Sequence, residues 1–265
     1  MLWRSKKTRE NPHRGFNLSH SRVLVITDNL FIYENFKTIT AELGMIDFFS
    51  YRYSITNSAF KKKFSESTDF KPIDIKKEIL DSEEYDLLIS AHSKQLFPAE
   101  LVRKIKCINI HPGLNPNNRG WFPQVFSILN GLPLGATIHE IDELIDHGPI
   151  IAQKEVEVYP WDTSLTAYNR VLETEIELLK GNIEKIISGD YKAVPPEREG
   201  NLNLKKDFDN LCRLNLDEVG RFEDFLNRLR ALTHGEYKNA FFIKGDKKVF
   251  VKLDLELKEE KPEEV

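Results

Sequence analysis

Apolar residues along the chain fall into strand-like and helix-like patterns by turns. Residues 22–27, Arg-Val-Leu-Val-Ile-Thr, form a short apolar run rich in β-branched side chains, which predicts a buried strand. After a turn at Asp28-Asn29, the residues Phe31, Ile32, Phe36, Ile39 and Leu43 recur at helical spacing, with Gly44 as the helix stop. Residues 45–53 predict a second strand. Residues 54–75 are polar, carry Lys61, Lys62 and Lys63, and show no clear period. Residues 85–90 predict a third strand, 98–103 a short helix opened by Pro98, and 107–110 a fourth strand that runs into His111-Pro-Gly113. A helix over 123–129 stops at Asn130-Gly131. Strands over 136–141 and 150–158 then lead to a long helix over 163–187, with Asp162 as N-cap and Gly189 past its end.

This alternation predicts an α/β fold, a Rossmann-like, doubly wound and mainly parallel sheet. The stretch 194–200, with Pro195 and Pro196, reads as a linker, and 218–232 predicts a further helix. Phe241-Phe-Ile243 and Val249-Phe-Val251 flank Lys244-Gly-Asp-Lys247 as a β-hairpin. The organisation expected is a basic arm over 1–20 outside the fold, an α/β domain over 21–190, and a smaller α+β subdomain over 191–257. A charged tail over 258–265 closes the chain.

Composition narrows the function classes. The chain has 265 residues, 40% hydrophobic and 30% charged, a globular balance, and 17 Phe that can fill a sizeable core. Thirty-eight Lys and Arg against 42 Asp and Glu give a net charge of -4, which argues against a broad nucleic-acid surface. A small phosphorylated ligand needs only one or two local cations and stays open. The two cysteines, Cys107 and Cys212, sit in no CxxC or Cys/His cluster, so neither zinc nor disulfides are expected and a reducing cytoplasm is the natural location. No apolar run approaches the roughly 18 residues needed to span a bilayer, and the basic amino terminus lacks the apolar core of a secretory signal. There is no GxxxxGK[ST] and no GxGxxG after a strand, so neither P-loop nor dinucleotide chemistry is supported.

The informative segment is Asn109-Ile-His111-Pro-Gly113. On a strand, residues two apart share a face, so Asn109 and His111 point the same way at the carboxyl end, where open α/β sheets bind ligands. An imidazole and a carboxamide there pair a proton acceptor with a hydrogen-bond donor, as acyl transfer requires. By spacing alone, His111 reads more readily as a turn residue with its ring bonded to its own neighbours. Further on, Glu140, Asp142, Glu143 and Asp146 make an acidic stretch, by itself a solvated loop, yet a carboxylate set against an imidazole raises its basicity.

Asn109-x-His111-Pro followed by Asp146-x-Gly148-Pro-Ile150 resembles the folate-dependent formyltransferase family. The stretches Asn115-Pro-Asn-Asn-Arg-Gly-Trp-Phe-Pro-Gln-Val-Phe126, Gly135-Ala-Thr-Ile-His-Glu-Ile-Asp142 and Leu232-Thr-His-Gly-Glu-Tyr-Lys-Asn-Ala240 resemble its sugar N-formyltransferase branch. The resemblance implies that His111 is the general base, that Asn109 donates to the oxyanion, and that Asp146 orients His111. It implies N10-formyltetrahydrofolate as formyl donor, held by main-chain groups of Lys94, Gln95 and Leu96 and of Asp142, Glu143 and Leu144. The acceptor implied is a dTDP-linked 3- or 4-amino-dideoxyhexose, made for O-antigen or another surface polysaccharide, with no metal. Gly113 departs from the family, which often has Ser after His-Pro.

With that resemblance, Asn118, Arg119 and Gly120 are expected at the diphosphate and Trp121 at a ligand ring, although turn and core roles serve as well. Tyr237, Lys238 and Asn239 are expected at the nucleotide. His92, His139, His147 and His234 lack ligand-like spacing and are expected to serve structure or the pocket wall. The apolar Phe241, Phe242, Phe250 and Val251 predict a homodimer, since they need burial. Two other readings are methionyl-tRNA formyltransferase, disfavoured by the negative charge, and a non-catalytic nucleotide-sugar binding module, for which all of Asn109, His111 and Asp146 would be superfluous.

Overall fold

The computed structural model of the chain describes residues 22–78, 80 and 82–258, so the arm expected over 1–20 and the tail beyond Lys258 lie outside the described residues. The chain builds outward from β1 (Val23–Thr27), whose residues are all buried. Alternate side chains leave a strand on opposite faces. Val23 and Val25 therefore enter one core, and Leu24 and Ile26 another. That two-sided burial is why the run reads as continuously apolar. Next comes α1 (Leu30–Glu42), capped by Asn29, whose Oδ1 accepts from the Ile32 amide. The chain leaves it through Gly44 at a φ of 67°.

A 3-10 turn, Ile46–Phe48, precedes β2 (Phe49–Ser54), so the second strand starts later than the expected position 45. Ile46 is exposed, and buried alternation begins only with Phe49, Tyr51 and Tyr53. The patternless stretch 54–75 holds α2 (Ser58–Lys63) and the edge strand β3 (Phe70–Ile73). Of β3 only Phe70 and Ile73 are buried, too few to show a period. Phe70 stacks on Tyr33 with ring centroids 4.0 Å apart and meets Tyr53 edge-on at 5.0 Å.

Three further elements, β4 (Leu87–Ala91), α3 (Ala99–Lys104) and β5 (Lys106–His111), complete a parallel array in the order β3-β2-β1-β4-β5. The strand order reverses between β1 and β4, which opens a crevice at their carboxyl ends. After the short β6 (Arg119–Gly120) and α4 (Pro123–Asn130), the sheet turns antiparallel. β7 (Leu134–Glu140) runs against β5, and β8 (Ile150–Val156) runs against β7. The sheet is thus the mainly parallel, doubly wound one expected.

The long helix α5 (Ser164–Ser188) lays Leu172, Ile176, Leu179, Ile183 and Ile186 on one sheet face beside Phe36 and Ile39 of α1. Leu101 of α3 covers the other face with Ile105. The N-cap of α5 is Thr163 rather than the expected Asp162. The Asp162 carboxylate pairs with Arg170 and accepts from the Tyr159 amide (2.7 Å) and Thr166 Oγ1 (2.8 Å). A charged partner holds it more strongly than a cap would.

The expected linker is no loose tether. At its end, β9 (Leu202–Asn203) pairs with β6. α6 (Lys205–Cys212) was not legible, because only Phe208, Leu211 and Cys212 give it an apolar side. α7 (Phe222–Leu232) starts at 222 rather than 218 and packs Ala231 on Val125 and Ile128 of α4. The hairpin of β10 (Phe241–Lys244) and β11 (Lys247–Phe250) forms as predicted. Among the described residues no helix is long and apolar enough to cross a membrane.

Ile183 is fully buried between α5 and the sheet. Ile183→Ala is expected to lower unfolding stability by about 3 kcal/mol. Lys180→Ala, on the exposed side of the same helix, should stay within about 0.5 kcal/mol. Chemical denaturation of both variants checks this, and equal effects would contradict the packing described.

Candidate active site

Two polar side chains reach one side of β5 near its carboxyl end. Ile108 and Ile110 enter the core under α5, so Asn109 and His111 face the other way. Antiparallel β7 sets His139 opposite Asn109 and Thr137 opposite His111. Thr137 is fully buried, donates to the Gly113 carbonyl at 2.7 Å and accepts from the Asn115 amide at 3.1 Å. Those bonds fix the turn that leaves β5. Asp146 arrives on the loop between β7 and β8 with left-handed backbone, at a φ of 47°. The Asn115 side chain holds it there by donating to the Asp146 carbonyl at 2.9 Å.

The Asp146 carboxylate sits among donors. Its Oδ1 accepts from Asn109 Nδ2 at 2.9 Å, and its Oδ2 accepts from the Gly120 amide at 3.0 Å. His111 Nδ1 lies 3.5 Å from Oδ2, and His139 Nε2 lies 3.6 Å from Oδ1. His139 Nδ1 is 2.7 Å from the Glu140 carbonyl, which only accepts, so the proton of a neutral ring is on Nδ1. The bare Nε2 then accepts from Asn109 Nδ2 at 3.3 Å. Asp146 likewise draws the His111 proton to Nδ1 and leaves a lone pair on Nε2. That nitrogen is buried without a hydrogen-bond partner in the protein. It faces Gly113, where an added Cβ would stand 2.4 Å away.

Burial pushes the His111 imidazolium down to about 4, against the opposing pull of Asp146. Burial would by itself raise the Asp146 carboxyl. His111, the larger influence, and the Gly120 amide hold it well below the usual carboxylate range. The result is a neutral imidazole backed by an anion, able to take up a proton transiently at Nε2 while Asp146 balances the charge.

The expected donor-binding segments are only partly free. The Lys94 amide donates to Asp28 Oδ2 at 2.7 Å. The Gln95 amide donates to Ser93 Oγ, and its side chain ties to the backbone of Ile73 and Ile75. Leu96 is exposed. In the second segment Asp142 accepts from the Leu144 amide and pairs with His147, Glu143 pairs with Arg103 of α3, and Leu144 is exposed. Phe97 and Ile141, beside the two segments, pack against one cluster.

Asn118, Arg119 and Gly120, expected at the diphosphate, all turn inward. Asn118 is fully buried and serves as a hub. Its Oδ1 accepts from Asn130, Asn201 and Asn203, and its Nδ2 donates to Ser127 Oγ. Arg119 is buried, with its guanidinium on Glu199 and on the Ile145 carbonyl. The Gly120 amide points at Asp146, and an added Cβ would stand 2.3 Å from the Asn203 carbonyl. These three build the wall that supports Asp146. Trp121 is exposed, whereas Val125 and Phe126 are buried.

Tyr237 is 70% exposed, with its ring 5.7 Å from that of His234. It lines a groove with Glu236, Lys238, Phe250, Val251 and Lys252. The Asn239 amide is turned inward, donating to the Leu232 carbonyl at 2.9 Å. His139, expected to serve structure or the pocket wall, belongs to the Asp146 cluster. Period-two alternation on β7 marks its face but not its partner, because pairing with β5 is a tertiary event. Glu199, on the expected linker, bridges Arg119 and His147, and no local signal marked it.

The folded-state pKa of His111 lies below its ordinary 6.5, so the folded protein binds fewer protons than the unfolded one between pH 6.5 and about 4. The stability that the neutral ring contributes is present above pH 6.5 and is lost as pH falls towards 4, by about 3 kcal/mol if it titrates fully. Melting temperature recorded across that window should fall for the wild type and fall less for His111→Gln. Identical slopes would assign the loss to another group.

Residues 49–183 match the profile of the family described as Formyl transferase, and 207–257 match the N-formyltransferase dimerization C-terminal domain. The chain is 55% identical to the dTDP-4-amino-4,6-dideoxyglucose formyltransferase of Mycobacterium tuberculosis over 183 residues, 69% of this chain and 77% of that relative. A sugar N-formyltransferase structure from a Shewanella species superposes with a TM-score of 0.84 at 41% identity, covering 90% of this chain and 99% of that one. A 4-N formyltransferase from Francisella tularensis gives 0.83 at 45% identity, covering 89% and 98%. The motif resemblance, the sheet with its Asn109, His111 and Asp146 cluster, and these matches agree: the chain belongs to the formyltransferase family, in its sugar N-formyltransferase branch.

Proposed function

We propose that the enzyme moves a formyl group from N10-formyltetrahydrofolate to the amine of a dTDP-linked 4-amino-dideoxyhexose. The observation that carries this reading is His111 Nε2, a buried nitrogen with no protein partner, backed by the Asp146 carboxylate across the same ring. It is aimed to take the proton that the sugar amine sheds on attacking the formyl carbon. Asp146 steadies the imidazolium that results, and the proton goes on to the donor's N10 as the bond from N10 to the formyl carbon breaks and tetrahydrofolate leaves. Asn109 donates to the formyl oxygen as negative charge gathers there. Its longer contact, to His139 at 3.3 Å, is the one exchanged for the substrate. The choice of C4 follows the names of the Mycobacterium and Francisella relatives.

The exposed Leu96 and Leu144 mark the two segments assigned to the folate, and the unpartnered Nε2 leaves a place for the reacting amine. Trp121, Tyr237 and Lys238 are the exposed groups assigned to the nucleotide sugar. In this reading residues 21–190 form the catalytic unit and 191–257 a substrate-facing unit. The latter also pairs two copies, because Ile243, Val249 and Phe250 of the hairpin are exposed. The enzyme works in the cytoplasm, on a precursor of O-antigen or a related surface polysaccharide.

Incubation with N10-formyltetrahydrofolate and dTDP-4-amino-4,6-dideoxyglucose should give a product heavier by one formyl group. His111→Asn should cut kcat by about a thousandfold while dTDP affinity is retained. Formylation of methionyl-tRNA but of no amino sugar would overturn the substrate, and full turnover by His111→Asn would overturn the base.

A further inference from the structure

A second carboxylate–imidazole pair lies outside the Asp146 cluster. Glu175 of α5 is fully buried, and its Oε2 lies 2.7 Å from His92 Nε2. Tyr168, about two turns earlier on the same helix, sets its hydroxyl 3.0 Å from His92 Nδ1. That hydroxyl also accepts from Asn29 Nδ2 at 3.0 Å, and Asn29 caps α1. One self-consistent set of protons satisfies the row. Asn29 donates to Tyr168, Tyr168 donates to His92 Nδ1, and His92 Nε2–H donates to Glu175.

This arrangement is a poor way to gain stability. His92 adopts the left-handed region at a φ of 61°, where a non-glycine residue is strained. Glu175 Oε1 is buried with no partner, and burying a carboxyl that is only half bonded is costly. An apolar residue would continue the packing of Leu172, Ile176 and Leu179 on the same helix. A strained backbone and an under-bonded buried acid together call for a functional reason.

Position supplies one. Ala91 at the end of β4 pairs with Ile110 of β5, so His92 stands at the level of His111, one strand away. His92 also opens the segment that carries Lys94, Gln95 and Leu96. Further along, that segment is tied to Asp28 through the Lys94 amide and to Ile73 and Ile75 through the Gln95 side chain. His92 is its anchor to α5.

We propose that His92 is a positioning residue for the folate donor: Glu175 and Tyr168 clamp its ring, and the clamped ring sets the path of backbone 93–96 that receives the pterin. This rests on the assignment of that segment to the folate.

The test is calorimetric titration of the full chain with 5-formyltetrahydrofolate, a stable isomer of the donor, and separately with dTDP. His92→Gly accepts the left-handed turn without strain but lacks the ring. His92→Gln restores an amide N–H at about the reach of Nε2. Glu175→Gln keeps the size of the clamp without its charge. His92→Gly should weaken folate binding by about tenfold or more and leave dTDP binding within about twofold. His92→Gln should recover most of the loss, and Glu175→Gln should fall between. Folate affinity unchanged in His92→Gly, both ligands weakened alike, or no recovery with Gln would each overturn the proposal. A wild-type chain that binds dTDP but no folate would instead refute the folate assignment, and the proposal with it.

Discussion

A carboxylate taken out of water must either collect donors or give up its charge, and the site is organised around the way Asp146 collects them. Asn109 and His111 come from β5, and the Gly120 amide comes from the short β6 that β9 holds down. None of these donors lies within a few residues of Asp146 in the chain. The anion therefore exists at this place only when the sheet, the turn after β5 and the 200–203 segment are all assembled. Its left-handed backbone follows from the same demand. The strain of that conformation is offset by Asn115 on the Asp146 carbonyl and Arg119 on the neighbouring Ile145 carbonyl.

The change from parallel to antiparallel pairing at β5 is what makes this possible. Parallel strands with helical crossovers place their carboxyl ends together and open a crevice, but they leave β5 with one free edge. β7 fills that edge in the opposite direction. It thereby lays His139 and Thr137 across from Asn109 and His111. A parallel strand would reach that edge only after a crossover and would bring its own carboxyl-end loop to the crevice in place of these residues.

Behind Asp146 stands a wall of amides. Asn118 is fully buried and joins three other asparagines, Asn130, Asn201 and Asn203, through one carbonyl oxygen. Gly120 must be glycine because Asn203 passes too close for a side chain. The Asn-Arg-Gly stretch thus works from within. It docks the 200–203 segment onto the turn after β5 and leaves Trp121, next along the chain, exposed.

The sequence by itself determined the sheet class, the central strands, the long helix and the hairpin. These are elements whose apolar period is set by burial on one or two faces, and period is a local property. It also determined the pairing of Asn109 with His111, because strand geometry fixes residues two apart on one side. It did not determine β3 or α6, which carry too few apolar residues to show a period. The cap of α5 falls to Thr163 because Asp162 pairs with Arg170, a partner that helix rules do not include. The inward turn of Asn118 and Asn239, the arrival of His139 at Asp146, and the buried grip of Glu175 on His92 were decided by tertiary structure alone. Each depends on a hydrogen-bond partner distant in the chain. A polar side chain announces that it needs a partner, but only the folded chain decides which one it gets.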